Sequence, residues 1–190
     1  MPSFTKNAIK TAFMELLNER PLNKITVKDI VEKCGINRNS FYYHFQDVPS
    51  LIEEIVMEEA DRLLERYPTI NTLDECFNAA FAFAMANKKA MLHIYNSVNR
   101  DIYEHYLMKI CGRLVTIYID TVLGRDERTD ERDRAILIRF IQYELFGAYI
   151  GWMSSGMEDN VIEDLHRLLA LCKDILEEII RRSVETRCGG

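Results

Sequence analysis

Little in this chain suits a secreted, membrane-spanning or catalytic protein. Its five cysteines, Cys34, Cys76, Cys111, Cys172 and Cys188, are odd in number and lie at long, irregular spacings, so they outline neither a zinc site nor a disulfide framework. No basic segment followed by an apolar run opens the sequence, and the long apolar stretch from Ala135 to Met153 is interrupted by Arg139, Gln142 and Glu144. That pattern fits neither a signal peptide nor a bilayer span. A reducing, cytoplasmic location without membrane contact is expected. Missing as well are a G-x-S-x-G elbow, a phosphate-cradling glycine loop and an H-E-x-x-H pair. The four histidines, His44, His93, His105 and His166, are scattered, and Ser154-Ser155-Gly156 reads as a helix end rather than a nucleophile. No enzymatic activity, metal or cofactor is expected.

What the chain does have is apolar residues at helical spacing. Its 190 residues are 48% hydrophobic, ample for a core in one large domain or two small ones. The formal charge of −6 is unevenly placed. Up to Asp47 there are seven Lys/Arg against five Asp/Glu, and beyond it seventeen against twenty-five. A slightly basic head on an acidic body suits local DNA reading better than coating nucleic acid without specificity.

The stretch Ile25 to Leu51 organises the rest. Thr26 is placed to N-cap a short helix with Asp29 as a shortened capping box, and Ile25 and Ile30 stand at staple positions. Asn37 repeats the device for a second helix, with Ile36 and Phe41 as its staple. Gly35 lies between the two, where a chain leaving a helix commonly needs a positive φ. Two capped helices around one glycine spell helix-turn-helix.

The residue choices within it, Thr26, Cys34-Gly35-Ile36, Asn37 to Ser40, Tyr42-Tyr43-His44-Phe45 and Leu51, resemble the DNA-binding signature of the TetR/AcrR family of bacterial transcriptional regulators. The resemblance covers about the first quarter of the chain. It departs at Val48 and Pro49, where the family usually has a lysine and then an acidic or polar residue, so one phosphate contact is expected to be missing. The resemblance implies that Thr26, Asn37, Ser40, Tyr42 and His44 hold phosphates. Helical phase turns Phe41 and Phe45 toward the core, which leaves Arg38, Asn39 and Tyr43 for base edges, with Lys28 at the margin of the same surface.

In chain order, Phe4, Ala8, Ile9, Ala12, Phe13, Leu16 and Leu17 mark a first helix ending before Pro21. It is expected to close over Ile30, Val31, Ile36, Phe41 and Phe45. Its Lys6 and Lys10 read either as contacts to the DNA backbone or as a solvated face. Asp47 caps a longer helix, with Pro49 in its first turn. From Thr72 to Leu123 three helical segments are expected, broken around Ala86 to Met91 and Asn99 to Asp101. Their rings and polar tips, including Phe77, His93 and His105, raise the prospect of an effector pocket lined by Phe81, Met85, Tyr95, Asn96, Tyr103, Tyr106 and Tyr118, with Tyr143 from a later helix. Ordinary helix core is the competing reading for each of these residues singly. Gly124 to Asp133 is a charged connector.

Two apolar helices follow, about Glu131 to Ser155 and Asp159 to Ser183. In the second, Val161, Leu165, Leu168, Cys172, Ile175 and Ile179 step by four and three, an interhelical seam that Leu169 and Leu176 widen. In the first, Gly147 and Gly151 allow a close helix approach. These residues (Gly147, Gly151, Leu165, Leu169, Cys172 and Leu176) are expected to form half of an intermolecular four-helix bundle, the usual dimer contact of the resembled family. The expectation is an all-α homodimer with a DNA-binding head over residues 1–47 and a regulatory and dimerisation part over 48–190. It would repress by binding a palindromic DNA operator and be released by a small, mostly apolar effector. The rival is a regulator, possibly an activator, that receives a partner protein instead. In support of that rival, Gly147 to Gly156 resembles regulators of dihydroxyacetone kinase operons.

Overall fold

A computed structural model describes residues 4–123 and 131–185, apart from the side chains of residues 123, 159, 173–177, 180, 181 and 183–185. It contains nine α-helices and one 3-10 turn, with no strand among the described residues. The helices are α1 (Phe4–Glu19), α2 (Val27–Cys34), α3 (Arg38–His44), α4 (Val48–Arg66), α5 (Leu73–Ala86), α6 (Lys88–Tyr95), α7 (Arg100–Leu123), α8 (Glu131–Ser154) and α9 (Asp159–Glu185). The chain forms two compact units. One comprises Met1–Arg62 with Phe83–Tyr106, the other Leu63–Ala82 with Leu107–Gly190. No helix among the described residues is long and apolar enough to cross a membrane.

In the first unit, α1 packs on α2, α3 and α6. Its apolar stripe is buried at Ile9, Ala12, Phe13, Leu16 and Leu17, and it meets a core that includes Ile30, Val31, Phe41, Phe45, Leu51 and Ile52. Ile36 is half-buried. Ion pairs from Lys33 to Glu15 and Glu19, and from Arg20 to Asp29, join α1 to α2 at the rim. His93 of α6 places its Nδ1 2.6 Å from the carbonyl oxygen of Leu17. That bond gives an end-of-helix carbonyl of α1 a partner it would otherwise lack.

Lys10 corrects the sequence reading. It neither faces solvent nor is free for DNA: its ammonium donates to Glu54 and Glu58 of α4, and the residue is only 7% exposed. Lys6 is likewise paired with Glu54. The start of α4 agrees with expectation. The Ser50 N–H donates to Asp47 Oδ1 at 2.8 Å while the Asp47 N–H donates to Ser50 Oγ at 3.1 Å, and Pro49 falls in a first turn where a missing N–H costs nothing.

The core of the second unit includes Cys76, Phe77 and Phe81 of α5, Leu107, Cys111, Leu114 and Tyr118 of α7, and Leu137, Ile141, Leu145, Tyr149 and Trp152 of α8. Burial pushes the Cys76 thiol up to about 12 and the Cys111 thiol upward as well, so neither is a reactive thiolate at neutral pH. Gln142 Nε2 donates to the Met108 carbonyl at 2.9 Å, across Gly112, where a Cβ would lie 2.9 Å from that nitrogen. Helix α8 ends in a Schellman turn. There the Gly156 N–H donates to Met153 O and the Met157 N–H to Trp152 O, with both Gly156 and Met157 at positive φ. Met157 accepts that conformation while its side chain is fully buried.

Candidate nucleic-acid interface

The reading helix is fixed by its caps. Thr26 and Asp29 form the reciprocal box at the start of α2. The Thr26 N–H and hydroxyl donate to Asp29 Oδ2 at 2.8 and 2.5 Å, and the hydroxyl accepts from the Asp29 N–H at 3.3 Å. These bonds from Thr26, with Arg20 3.0 Å away, lower the Asp29 carboxyl to about 2. Gly35 follows with φ +69°, and a Cβ there would meet nothing within 4 Å. The glycine is therefore required by backbone conformation and not by space. Asn37 Oδ1 then caps α3, accepting from the Ser40 N–H at 2.8 Å and the Ser40 hydroxyl at 3.1 Å.

From this frame α3 presents two faces. Phe41 and Phe45 are buried against each other, ring centroids 5.8 Å apart. Arg38, Asn39, Tyr42 and Tyr43 are exposed, Tyr43 at 85%. His44 is half-buried with its ring against Tyr43 and Phe45. Lys28 of α2 is exposed, with Glu32 3.7 Å away. The expected DNA-contacting residues thus lie on one short segment, but their donors differ in availability. The Thr26 hydroxyl proton is engaged by Asp29 and that of Ser40 by Asn37, whereas Arg38 has no carboxylate partner among the described residues. Arg38 can offer its full guanidinium fork to a base edge or phosphate.

The expected effector residues divide between the units. Met85, Tyr95, Asn96, Tyr103 and Tyr106 belong to the first, Phe81, Tyr118 and Tyr143 to the second. Arg100 lies over the Tyr95 ring at 4.0 Å, Asn96 donates to the Leu92 carbonyl, and Tyr106 donates to Glu53. Met85 and Tyr143 are more than half exposed, while Tyr103 and Tyr118 are buried. Phe81 packs against Trp152 and Tyr149, centroids 4.9 and 5.2 Å away. Neither partner was singled out from the sequence as lining, although two rings three apart on α8 share a helix face. The Trp152 indole N–H is buried without an acceptor among the described residues. No cluster of three or more His, Cys, Asp or Glu that could hold a metal occurs among the described residues.

On the last two helices, Leu168 and Leu171 are 53% and 63% exposed, and Leu165, Leu169 and Cys172 are half-buried. The side chain of Leu176 lies outside the described residues. Helix α8 adds an outward stripe of Ile136, Phe140, Tyr143, Gly147 and Gly151, all exposed and mostly stepping by four and three. A Cβ at either glycine would meet nothing within 4 Å, so no contact among the described residues accounts for their small size.

Residues 9–55 match the family described as bacterial regulatory proteins, tetR family, and residues 71–181 match the family described as transcriptional regulator C-terminal region. The chain belongs to the TetR family of bacterial transcriptional regulators. These are families of regulators, not enzymes. Among curated TetR-like relatives, the chain is 33% identical over 63 residues to the uncharacterized HTH-type transcriptional regulator YxbF of Bacillus subtilis, covering 33% of this chain and 17% of that one. It is 26% identical over 98 residues to the HTH-type transcriptional repressor KstR2 of Mycolicibacterium smegmatis, covering 51% of this chain and 48% of that one. The chain thus spans at most about half the length of these relatives. Two solved structures share the fold. The dihydroxyacetone kinase operon activator DhaS has a TM-score of 0.67 at 18% identity over 94% of this chain and 97% of that one. Salmonella enterica GusR has a TM-score of 0.59 at 15% identity over 88% and 94%.

Proposed function

We propose that this TetR-family protein is a cytoplasmic homodimer that represses transcription by reading a palindromic operator with α3 and leaves it when a small effector binds. Residues 1–47 act as the reading head and 48–190 as the regulatory and dimerising part. The observation that carries the reading is the two-sided α3, with Phe41 and Phe45 buried and Arg38, Asn39 and Tyr43 exposed. Arg38, Asn39 and Tyr43 read bases, Lys28 flanks them, and Asn37, Tyr42 and His44 hold phosphates. Thr26 and Ser40 serve mainly as caps, because their hydroxyl protons are engaged. Selecting bound duplexes from a random pool with the full chain should enrich an inverted repeat with half-site centres about 34–36 Å apart or somewhat more. Enrichment of direct repeats, or no enrichment, would remove the reading.

The effector reading rests on the aromatic set Phe81, Tyr149 and Trp152 and its unsatisfied indole N–H. A buried donor without an acceptor costs about 1–3 kcal/mol, so a mostly apolar molecule carrying one acceptor gains by supplying it. Such a ligand drives release only by binding the DNA-free state more tightly. Trp152 is the sole tryptophan, so its emission reports on this site directly. Acetophenone should shift that emission more strongly than ethylbenzene, its counterpart without the carbonyl. If only highly charged metabolites protect the protein in a thermal-shift screen, this effector class is wrong. If no small molecule does, a partner protein is the signal.

A further inference from the structure

Lys10 is the one buried charged side chain among the described residues, 7% exposed in the middle of α1. Its ammonium is held by two carboxylates one turn apart on α4, Glu54 Oε1 at 2.9 Å and Glu58 Oε1. Each carboxylate has a second cation: Lys6 for Glu54, and Arg62, 3.6 Å away, for Glu58. Burial pushes the Glu54 carboxyl up, yet the hydrogen bonds from Lys6 and Lys10 outweigh it and hold it below its ordinary value.

Beside this network α1 and α4 do not close completely. An open groove of about 430 Å³ runs between them, lined in part by Asn7, Lys10, Thr11, Glu58, Glu59 and Arg62. Where packing leaves such a gap, directional ion pairs set the spacing and register of the two helices. Buried ion pairs stabilise poorly compared with apolar packing, and their best-attested use is to specify register. Here a buried ammonium and two half-buried carboxylates tie α4 to the helix on which both α2 and α3 pack.

We propose that Lys10 is a positioning residue for operator recognition: by seating Glu54 and Glu58 on α1 it fixes how α4 leaves the reading head, and so which half-site spacing the dimer accepts. The inference rests on the palindrome-reading dimer described above and adds to it the element that sets the spacing.

Replacing Lys10 by Met keeps an unbranched chain that lacks only the terminal ammonium position, and leaves each carboxylate its second cation, so the head should stay folded. Wild type, Lys10→Met and Lys10→Arg are titrated against a single half-site and against palindromes whose spacing varies by one base pair. The wild type and Lys10→Arg should prefer one spacing by about tenfold or more. Lys10→Met should bind the single half-site within about twofold of wild type while its spacing preference collapses. If Lys10→Met lowers half-site and palindrome binding by one common factor, or changes neither, Lys10 is structural only and the inference fails alone. If Lys10→Met does not fold, Glu58→Gln takes its place with the same expectations. If the wild type itself shows no specific binding or no spacing preference, the dimeric reading fails and the inference with it.

Discussion

Leu168→Glu is expected to turn a dimer into monomers and to abolish tight binding of a palindrome. Leu168 is 53% exposed in the single chain, on the same side of α9 as half-buried Leu165 and Cys172. Ile136, Phe140 and Tyr143 of α8 are also more than half exposed. An apolar stripe this long is rarely left to water. The two open glycines motivate the proposed occupant: Gly147 and Gly151 cost about 1 kcal/mol each in a helix interior, and no contact among the described residues compensates. A second copy approaching along α8 and α9 would do so. By two-fold symmetry each substitution acts twice, so the loss of two buried leucines removes about 3 kcal/mol or more. That corresponds to roughly two powers of ten in the dimer dissociation constant before the cost of burying two carboxylates. Sedimentation equilibrium checks it. A Leu168→Glu protein that stays dimeric at low micromolar concentration would place the interface elsewhere.

Phe41→Ala is expected to unfold the head. Phe41 is fully buried and touches the rings of Tyr42 and Phe45. It is the side chain that turns the exposed residues of α3 outward. Truncating a buried phenylalanine costs about 3–5 kcal/mol, a large share of the roughly 5–15 kcal/mol that holds a domain together. Urea unfolding followed by far-UV circular dichroism should therefore show an earlier transition. Trp152 lies in the other compact unit, so its emission should change later than the helical signal. Coincident transitions at the wild-type midpoint would mean that Phe41 does not anchor the head.

What the sequence made legible was local. Thr26 with Asp29, Asn37 with Ser40, and Gly35 at positive φ are governed by interactions spanning three or four residues, which spacing alone encodes. Helix ends were visible for the same reason, at Asp47 and at Gly156. The chemistry of Lys10 was not, because its partners lie 44 and 48 positions away and a lysine on such a helix reads as a solvated face or a contact to the DNA backbone. Which of the rings pack on one another was hidden for a related reason. Helices α5 to α7 are aromatic on several faces, so ring content could not tell Phe81, which meets Trp152, from Met85, which faces solvent. On α8 both faces are apolar, Leu137, Ile141 and Leu145 inward and Ile136, Phe140 and Tyr143 outward. No single periodicity separates them, and only the two glycines pointed to the outer face.

The most direct measurement compares Arg38→Ala with wild type on the selected palindrome and its single-base variants over a range of salt. A guanidinium reading a base edge contributes about 1–3 kcal/mol of discrimination at one base pair in each half-site. Arg38→Ala should therefore lose preference at that base pair alone and keep the wild-type salt slope, whereas Tyr42→Phe should weaken all sequences alike. If Arg38→Ala instead lowers affinity uniformly across sequences and changes the salt slope, Arg38 is a phosphate contact, and α3 does not read the operator as proposed.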